Sequence, residues 1–116
     1  MQEIIDGAGL KRAMEASQTT PIFLFKHSTT CPISSAAYRE VESYLDRVGE
    51  GAKPVVYLVK VIESRPVSNA IAAQTGVTHQ SPQVILVNGE EAVWNASHSG
   101  IRSEAMEKVA GGDVRD

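Results

Sequence analysis

The stretch Val55-Val56-Tyr57-Leu58-Val59-Lys60-Val61, opened by Pro54, limits the folds open to this chain more than any other. A near-continuous β-branched and apolar run of this length reads as a strand, and a strand without a polar face has to be covered on both sides. Such coverage is typical of a parallel sheet with helices above and below. A second run, Ile22-Phe23-Leu24-Phe25-Lys26, has the length and aromatic content of another buried strand. Between the two, Ile33, Ala37, Val41, Tyr44 and Val48 recur at three- and four-residue intervals, the apolar stripe of an amphipathic helix. Strand, helix and strand with so long a crossover make a βαβ unit, and its hand is expected to be right.

The remaining segments extend that unit. Ile4, Ile5, Leu10, Ala13 and Met14 form an imperfect helical pattern broken by Gly7 and Gly9, so a first helix is expected over about Gly9–Glu15. Gln18-Thr19-Thr20-Pro21 is a polar turn into the first strand. The central helix is expected to run to about Val48, with Gly49 just past its end. Arg65-Pro66-Val67-Ser68 opens another helix that closes near Gly76. Gln83–Val87 is a further apolar strand, and Asn88-Gly89 is a strong hairpin signal that makes Ala92–Ala96 its antiparallel partner. After the turn Ser97-His98-Ser99-Gly100, Ile101–Ala110 reads as a terminal helix. The expectation is one α/β domain over residues 1–116, a four-stranded mixed sheet flanked by helices, with Gly111, Gly112 and the charged end (112–116) frayed.

Composition narrows the function. With 11 Lys and Arg against 14 Asp and Glu the net charge is −3, so no basic surface points to nucleic acid or an anionic membrane. Met1-Gln2-Glu3-Ile4-Ile5-Asp6 has neither the basic nor the apolar region of a signal peptide, and no segment approaches the ~20 apolar residues of a membrane span. The single cysteine allows no internal disulfide, which fits a reducing compartment, so a cytoplasmic location is expected.

That cysteine has an informative position. Pro32 suits a first helical position, where its missing N–H costs nothing, and this makes Cys31 the N-cap. A sulfur there faces the unpaired N–H groups of Ile33 and Ser34 and the positive end of the helix dipole, and both favour S⁻. Thiols in such settings titrate at roughly 3.5–7.5 rather than about 8.5. Lys26 and His27 are close enough in sequence to add positive charge. A lone cysteine is more often a small buried hydrophobe, but the polar flanks Ser28, Thr29, Thr30, Ser34 and Ser35 suit a reactive thiol better than a packed one.

The element order matches the thioredoxin architecture, with the sulfur at the carboxyl end of a strand and the amino end of a helix, where ligands gather in open α/β sheets. The blocks Lys26-His27-Ser28-Thr29-Thr30-Cys31-Pro32-Ile33-Ser34, Arg65-Pro66-Val67-Ser68-Asn69, Gly76-Val77-Thr78-His79-Gln80-Ser81-Pro82-Gln83 and Trp94-Asn95-Ala96-Ser97-His98 resemble the monothiol bacilliredoxins, thioredoxin-like proteins of the bacillithiol system. The resemblance runs from about Ile22 to Ile101. It implies a thioredoxin fold, a cytoplasmic setting, Cys31 as the redox-active residue and exchange with bacillithiol, a low-molecular-weight thiol acting as co-substrate beside no tightly bound cofactor. It also implies a cis peptide between Ser81 and Pro82, in a loop that faces the cysteine and pairs with bound thiol or peptide together with Thr30 and Pro32. Without the resemblance, Pro82 reads as a trans proline at a strand start.

Other residues carry two readings each. His27 as a cation would favour the thiolate, or it caps the end of its strand. His79 is either part of the thiol-binding set beside the Pro82 loop or, chiefly, a prop for that loop. His98 either contacts the carboxylates or sugar of bacillithiol or is a satisfied turn residue. Trp94 either shelters a ligand or packs on the sheet, and Arg65, with Lys26 a candidate partner for a ligand carboxylate, reads more readily as a solvated helix start. No metal site is evident. Ser34 stands where a dithiol enzyme has its second cysteine, so Cys31 cannot close an internal disulfide. The leading expectation is removal of bacillithiol from S-bacillithiolated proteins by way of a mixed disulfide on Cys31. The competing ones are an iron–sulfur carrier of the monothiol-glutaredoxin kind and a redox-inactive interaction module.

Overall fold

The computed structural model describes residues 1–112, so the expectation for the charged end beyond Gly112 lies outside the described residues. The elements are β1 (Gln2–Glu3), α1 (Gly7–Ala16), β2 (Ile22–His27), α2 (Pro32–Val48), β3 (Val55–Lys60), α3 (Arg65–Thr75), β4 (Gln83–Asn88), β5 (Glu91–Ser97), a 3-10 turn (His98–Gly100) and α4 (Ser103–Ala110). Asp6 starts α1 two residues earlier than the glycines suggest, because its carboxylate accepts from the Gly9 N–H at 2.8 Å. Gly76 closes α3 at φ +73°, a left-handed conformation that glycine adopts without steric cost. The Gly111 and Gly112 N–H groups bond to the Glu107 and Val109 carbonyls at the end of α4.

The strand order is β1-β3-β2-β4-β5. β2 and β3 are parallel, as the βαβ reading requires, while β4 runs antiparallel to β2 and pairs with β5 through the Asn88-Gly89 hairpin. The four-stranded expectation needs correcting, because the sheet has five strands among the described residues. Gln2 and Glu3 pair in parallel with Tyr57 and Leu58, and the Ile4 N–H donates to the Leu58 carbonyl at 2.8 Å. Two exposed polar residues carry no hydrophobic period, so this pairing comes from the open edge of β3 and not from a local strand signal.

Alternation along β2 divides the core. Phe23 and Phe25 pack with Ala37, Val41 and Tyr44 of α2 and Met106 of α4 on one face. Ile22 and Leu24 pack with Leu10 and Met14 of α1 and Ile71 of α3 on the other. Every residue of β2 is buried. Phe23 has no exposed surface and makes edge-to-face contacts with Tyr44, at 5.7 Å between ring centroids, and with Trp94, at 6.4 Å. Trp94 is therefore a packing residue. Phe23→Ala is expected to lower the unfolding free energy by about 3–5 kcal/mol. Val93→Ala, at a residue 40% exposed on β5, is expected to change it by no more than about 0.5 kcal/mol. Urea denaturation of both variants checks the pair.

Candidate active site

Parallel pairing of β2 with β3 and antiparallel pairing with β4 bring three chain ends to one edge of the sheet. These are the carboxyl end of β2, the amino end of β4 and the carboxyl end of β5, with Lys26 opposite Gln83 and Gln83 opposite Ser97. The loop Ser28–Cys31, the cis Ser81–Pro82 bond and His98 all follow or precede those ends. A second cis bond, Lys53–Pro54, which the sequence does not signal, lies before β3.

Cys31 is the N-cap of α2, with Pro32 in the first turn, and it is partly exposed. Its carbonyl accepts the Ser35 N–H at 3.0 Å, and its own N–H donates to the Ser28 carbonyl at 3.4 Å. The sulfur makes no capping hydrogen bond to the first turn. The N-cap position thus supplies the field of the free amides of Ile33 and Ser34, not a bond to them. The side chain of Ile33 is 55% exposed, and Pro32 and Thr30 are exposed beside the sulfur.

The Ser34 hydroxyl is fully buried, 2.7 Å from His27 Nδ1, and accepts the Ser28 N–H at 2.9 Å. The reason is geometric, since side chains at the third helical position lean back over the first turn toward the strand the helix follows. His27, buried at the end of β2, stacks on Phe25 and on Tyr38 of α2, whose ring centroid lies 4.9 Å away. Burial pulls the imidazole below its ordinary value, with the Ser34 hydrogen bond and Glu63 acting upward and Lys60 downward. Tyr38 went unnoticed in the sequence, although its spacing of four from Ser34 places it on the same helix face.

Lys26 and His27 part company, because alternation sends Lys26 to the α1–α3 face. Lys26 has no exposed surface, and its Nζ has no hydrogen-bond partner among the described residues. Burial draws its pKa from 10.5 down to about 8. Its neighbours include the buried Gln83, whose Nε2 donates to the Thr78 carbonyl at 3.1 Å while Oε1 stays unpartnered. Ser81 Oγ is likewise buried and unpartnered. His79 Nδ1 lies 3.5 Å from the buried Ser68 hydroxyl, which suits a prop for the loop. Loss of solvent lowers its titration, and the charges of Lys26 and Arg65 add to that effect. Arg65 stands exposed at the start of α3.

His98 has φ +53°, and its N–H donates to the Pro82 carbonyl at 3.1 Å, tying the turn after β5 to the cis proline. Its side chain borders a groove of about 510 Å³ lined also by Pro32, Ile33, Arg39, Glu40 and Arg102. Glu40 pairs with Arg102 at 3.6 Å and accepts the Ser103 N–H at 2.9 Å. Arg39 makes no ion pair or hydrogen bond among the described residues, so its charge is free at the groove wall. The groove was not legible in sequence, because its walls come from α2 and from the turn and N-cap ahead of α4, more than fifty positions apart. No cluster of three or more His, Cys, Asp or Glu side chains suited to a metal occurs among the described residues, and none of their helices is long and apolar enough to cross a membrane.

A partly exposed cysteine at the N-cap of the helix that follows a central parallel strand, level with a cis proline, defines a thiol redox protein of the thioredoxin fold. Comparison with solved structures agrees. A structure described as a candidate oxidoreductase with a thioredoxin fold is 30% identical, with a TM-score of 0.79, over 92% of this chain and 90% of that one. Fasciola hepatica thioredoxin, 12% identical, superimposes with a TM-score of 0.74 over 97% of this chain and 99% of that chain. Chloroplastic thioredoxin z, 18% identical, does so with a TM-score of 0.72 over 97% and 93%. At those identities the last two speak for the fold alone. The family described as monothiol bacilliredoxin BrxC matches residues 2–106, and the chain belongs to that family.

The buried amine of Lys26 makes a testable difference to stability. Its folded value near 8 lies below the 10.5 of an unfolded lysine. Between those values the unfolded chain therefore binds more protons, and the stability Lys26 withholds at neutral pH returns as pH rises through that window. Lys26→Met is expected to be more stable than wild type at about pH 7, by on the order of 1–3 kcal/mol. The advantage should shrink toward about pH 10, as denaturant titrations of both proteins at the two pH values would show.

Proposed function

We propose that this protein removes bacillithiol from S-bacillithiolated proteins by thiol–disulfide exchange at Cys31. The observation that carries the reading is the placement of the chain's only cysteine, partly exposed at the N-cap of α2, with a serine at the third helical position. The Cys31 thiolate attacks the bacillithiol sulfur of the modified protein. A new disulfide joins Cys31 to bacillithiol, the old one breaks, and the protein cysteine leaves as a thiolate that takes a proton from solvent. With Ser34 in place of a second thiol, the adduct waits for an external thiol, and a further bacillithiol molecule serves as that co-substrate. No tightly bound cofactor takes part.

The edge of the sheet supports a ligand of this kind. Thr30, Pro32 and the Ser81–Pro82 loop border the sulfur's end of the sheet, and the groove beside Pro32 offers His98 and Arg39, unpaired among the described residues, to the carboxylates of bacillithiol. The single cysteine and net charge of −3 suit a reducing cytoplasm and protein clients, not nucleic acid or a membrane surface.

The test is intact mass spectrometry of wild type and Cys31→Ser, each mixed with a client protein carrying bacillithiol. Wild type should gain one bacillithiol as the client loses it, and the variant should do neither. A wild type that alkylates readily with iodoacetamide yet takes up no bacillithiol would mean a different small thiol. Failure of Cys31 to alkylate would remove the redox reading altogether.

A further inference from the structure

The groove beside the cysteine has a direction. Pro32, Ala36 and Arg39 recur at i, i+4 and i+7 along α2, so they share one stripe of its surface, and all three line the groove of about 510 Å³. The stripe starts at the residue after Cys31 and ends two turns later at Arg39. Eight positions at 1.5 Å each put Arg39 about 12 Å along the helix from the N-cap. Helical side chains lean toward the amino end, which brings its guanidinium back to roughly 8–10 Å from the sulfur's end of the groove. Ala36 is exposed and small between them, so the way along the stripe is open. The other wall is the turn at His98 and Ser99.

Charge singles out Arg39. Arg102, on the far wall, has Nε 3.6 Å from Glu40 and Nη2 3.7 Å from Glu104, and Glu40 also accepts the Ser103 N–H at 2.9 Å. Those three charged side chains are engaged with one another. Arg39 is exposed and makes no ion pair or hydrogen bond among the described residues. It leaves the groove with a cation to spare, on a chain whose net charge is −3.

We propose that Arg39 measures the small thiol joined to Cys31, selecting one whose carboxylate lies roughly 8–10 Å from its sulfur. A guanidinium meets a carboxylate through two parallel N–H bonds, a fit that a lysine amine does not reproduce. In the mixed disulfide, bacillithiol lies along the stripe with its sugar over Ala36 and its carboxylates, beyond the sugar, at Arg39. Cysteine carries its carboxylate two carbons from the sulfur and stops short of that point, and 2-mercaptoethanol has no carboxylate. Arg39 thus discriminates by charge at a fixed reach and takes no part in breaking or forming the disulfide. This role rests on Cys31 exchanging with bacillithiol, as proposed above.

The experiment is single-turnover removal of bacillithiol, cysteine and 2-mercaptoethanol from one client protein, by wild type, Arg39→Gln, Arg39→Lys and Arg12→Gln. Arg12 stands exposed on α1, across the sheet from α2, and controls for the lost charge. Arg39→Gln should lower the ratio of bacillithiol to 2-mercaptoethanol removal by roughly three- to tenfold, through the half-saturating concentration and not the limiting rate. Arg39→Lys should fall between, and the ratio of cysteine to 2-mercaptoethanol removal should hold. In about 1 M salt, where charges are screened beyond about 3 Å, the difference should narrow. Arg39 has no partner to lose, so an unchanged urea midpoint separates the effect from unfolding. A bacillithiol ratio that Arg39→Gln leaves unchanged, an equal loss on all three clients, or the same drop in Arg12→Gln would overturn selection by Arg39 while bacillithiol exchange stands. A wild type that removes the two shorter thiols but not bacillithiol fails the bacillithiol reading itself, and the role of Arg39 falls with it.

Discussion

Strand β2 is paired along both edges and covered on both faces, and everything at the site is measured from it. Parallel pairing with β3 and antiparallel pairing with β4 leave all six of its residues buried. Its carboxyl end therefore has almost no freedom. A reactive group attached there by a four-residue loop inherits that rigidity, which is how a thioredoxin-fold protein holds a sulfur against a partner while the rest of the surface stays free to vary.

The loop itself is secured by one hydroxyl. Ser34 Oγ joins the end of β2, through His27, to the backbone of Ser28 and to the first turn of α2. Thr29 adds a bond to Glu63 on the connection after β3. Residues 28–31 have few apolar contacts to order them, so these polar bonds do the work that packing does elsewhere in the chain. Because the Ser34 hydroxyl is buried, its own bonds are shielded from water and would be costly to leave unmade.

The opposite face of the same strand end is built on a conflict. Lys26 occupies a position that alternation assigns to the core, and its ammonium has no acceptor among the described residues. Gln83 Oε1, across the ladder from Lys26, and Ser81 Oγ are also buried without a hydrogen-bond partner among the described residues. Structures seldom carry such a group without a reason, since an unpaired buried charge is among the more destabilising features a fold can tolerate.

By itself the sequence determined the elements, the parallel βαβ unit, the hairpin and the N-cap position of Cys31. Each of these depends on local periodicity or on a turn residue, such as the β-branched run before Val61, Asn88-Gly89 or Pro32, and local patterns survive without knowledge of the partner. The family blocks around Cys31 and Pro82 were legible for the same reason, being short and contiguous. What tertiary structure alone decided was direction and company. It gave β3 a fifth-strand neighbour from two polar residues, joined Ser34 to His27, and sent Lys26 to the far face. It also assembled the groove from Pro32, Arg39, His98 and Arg102. Those outcomes depend on which side of a strand or helix meets which neighbour, and on the desolvation of polar groups once they meet, quantities that exist only when distant segments are in contact.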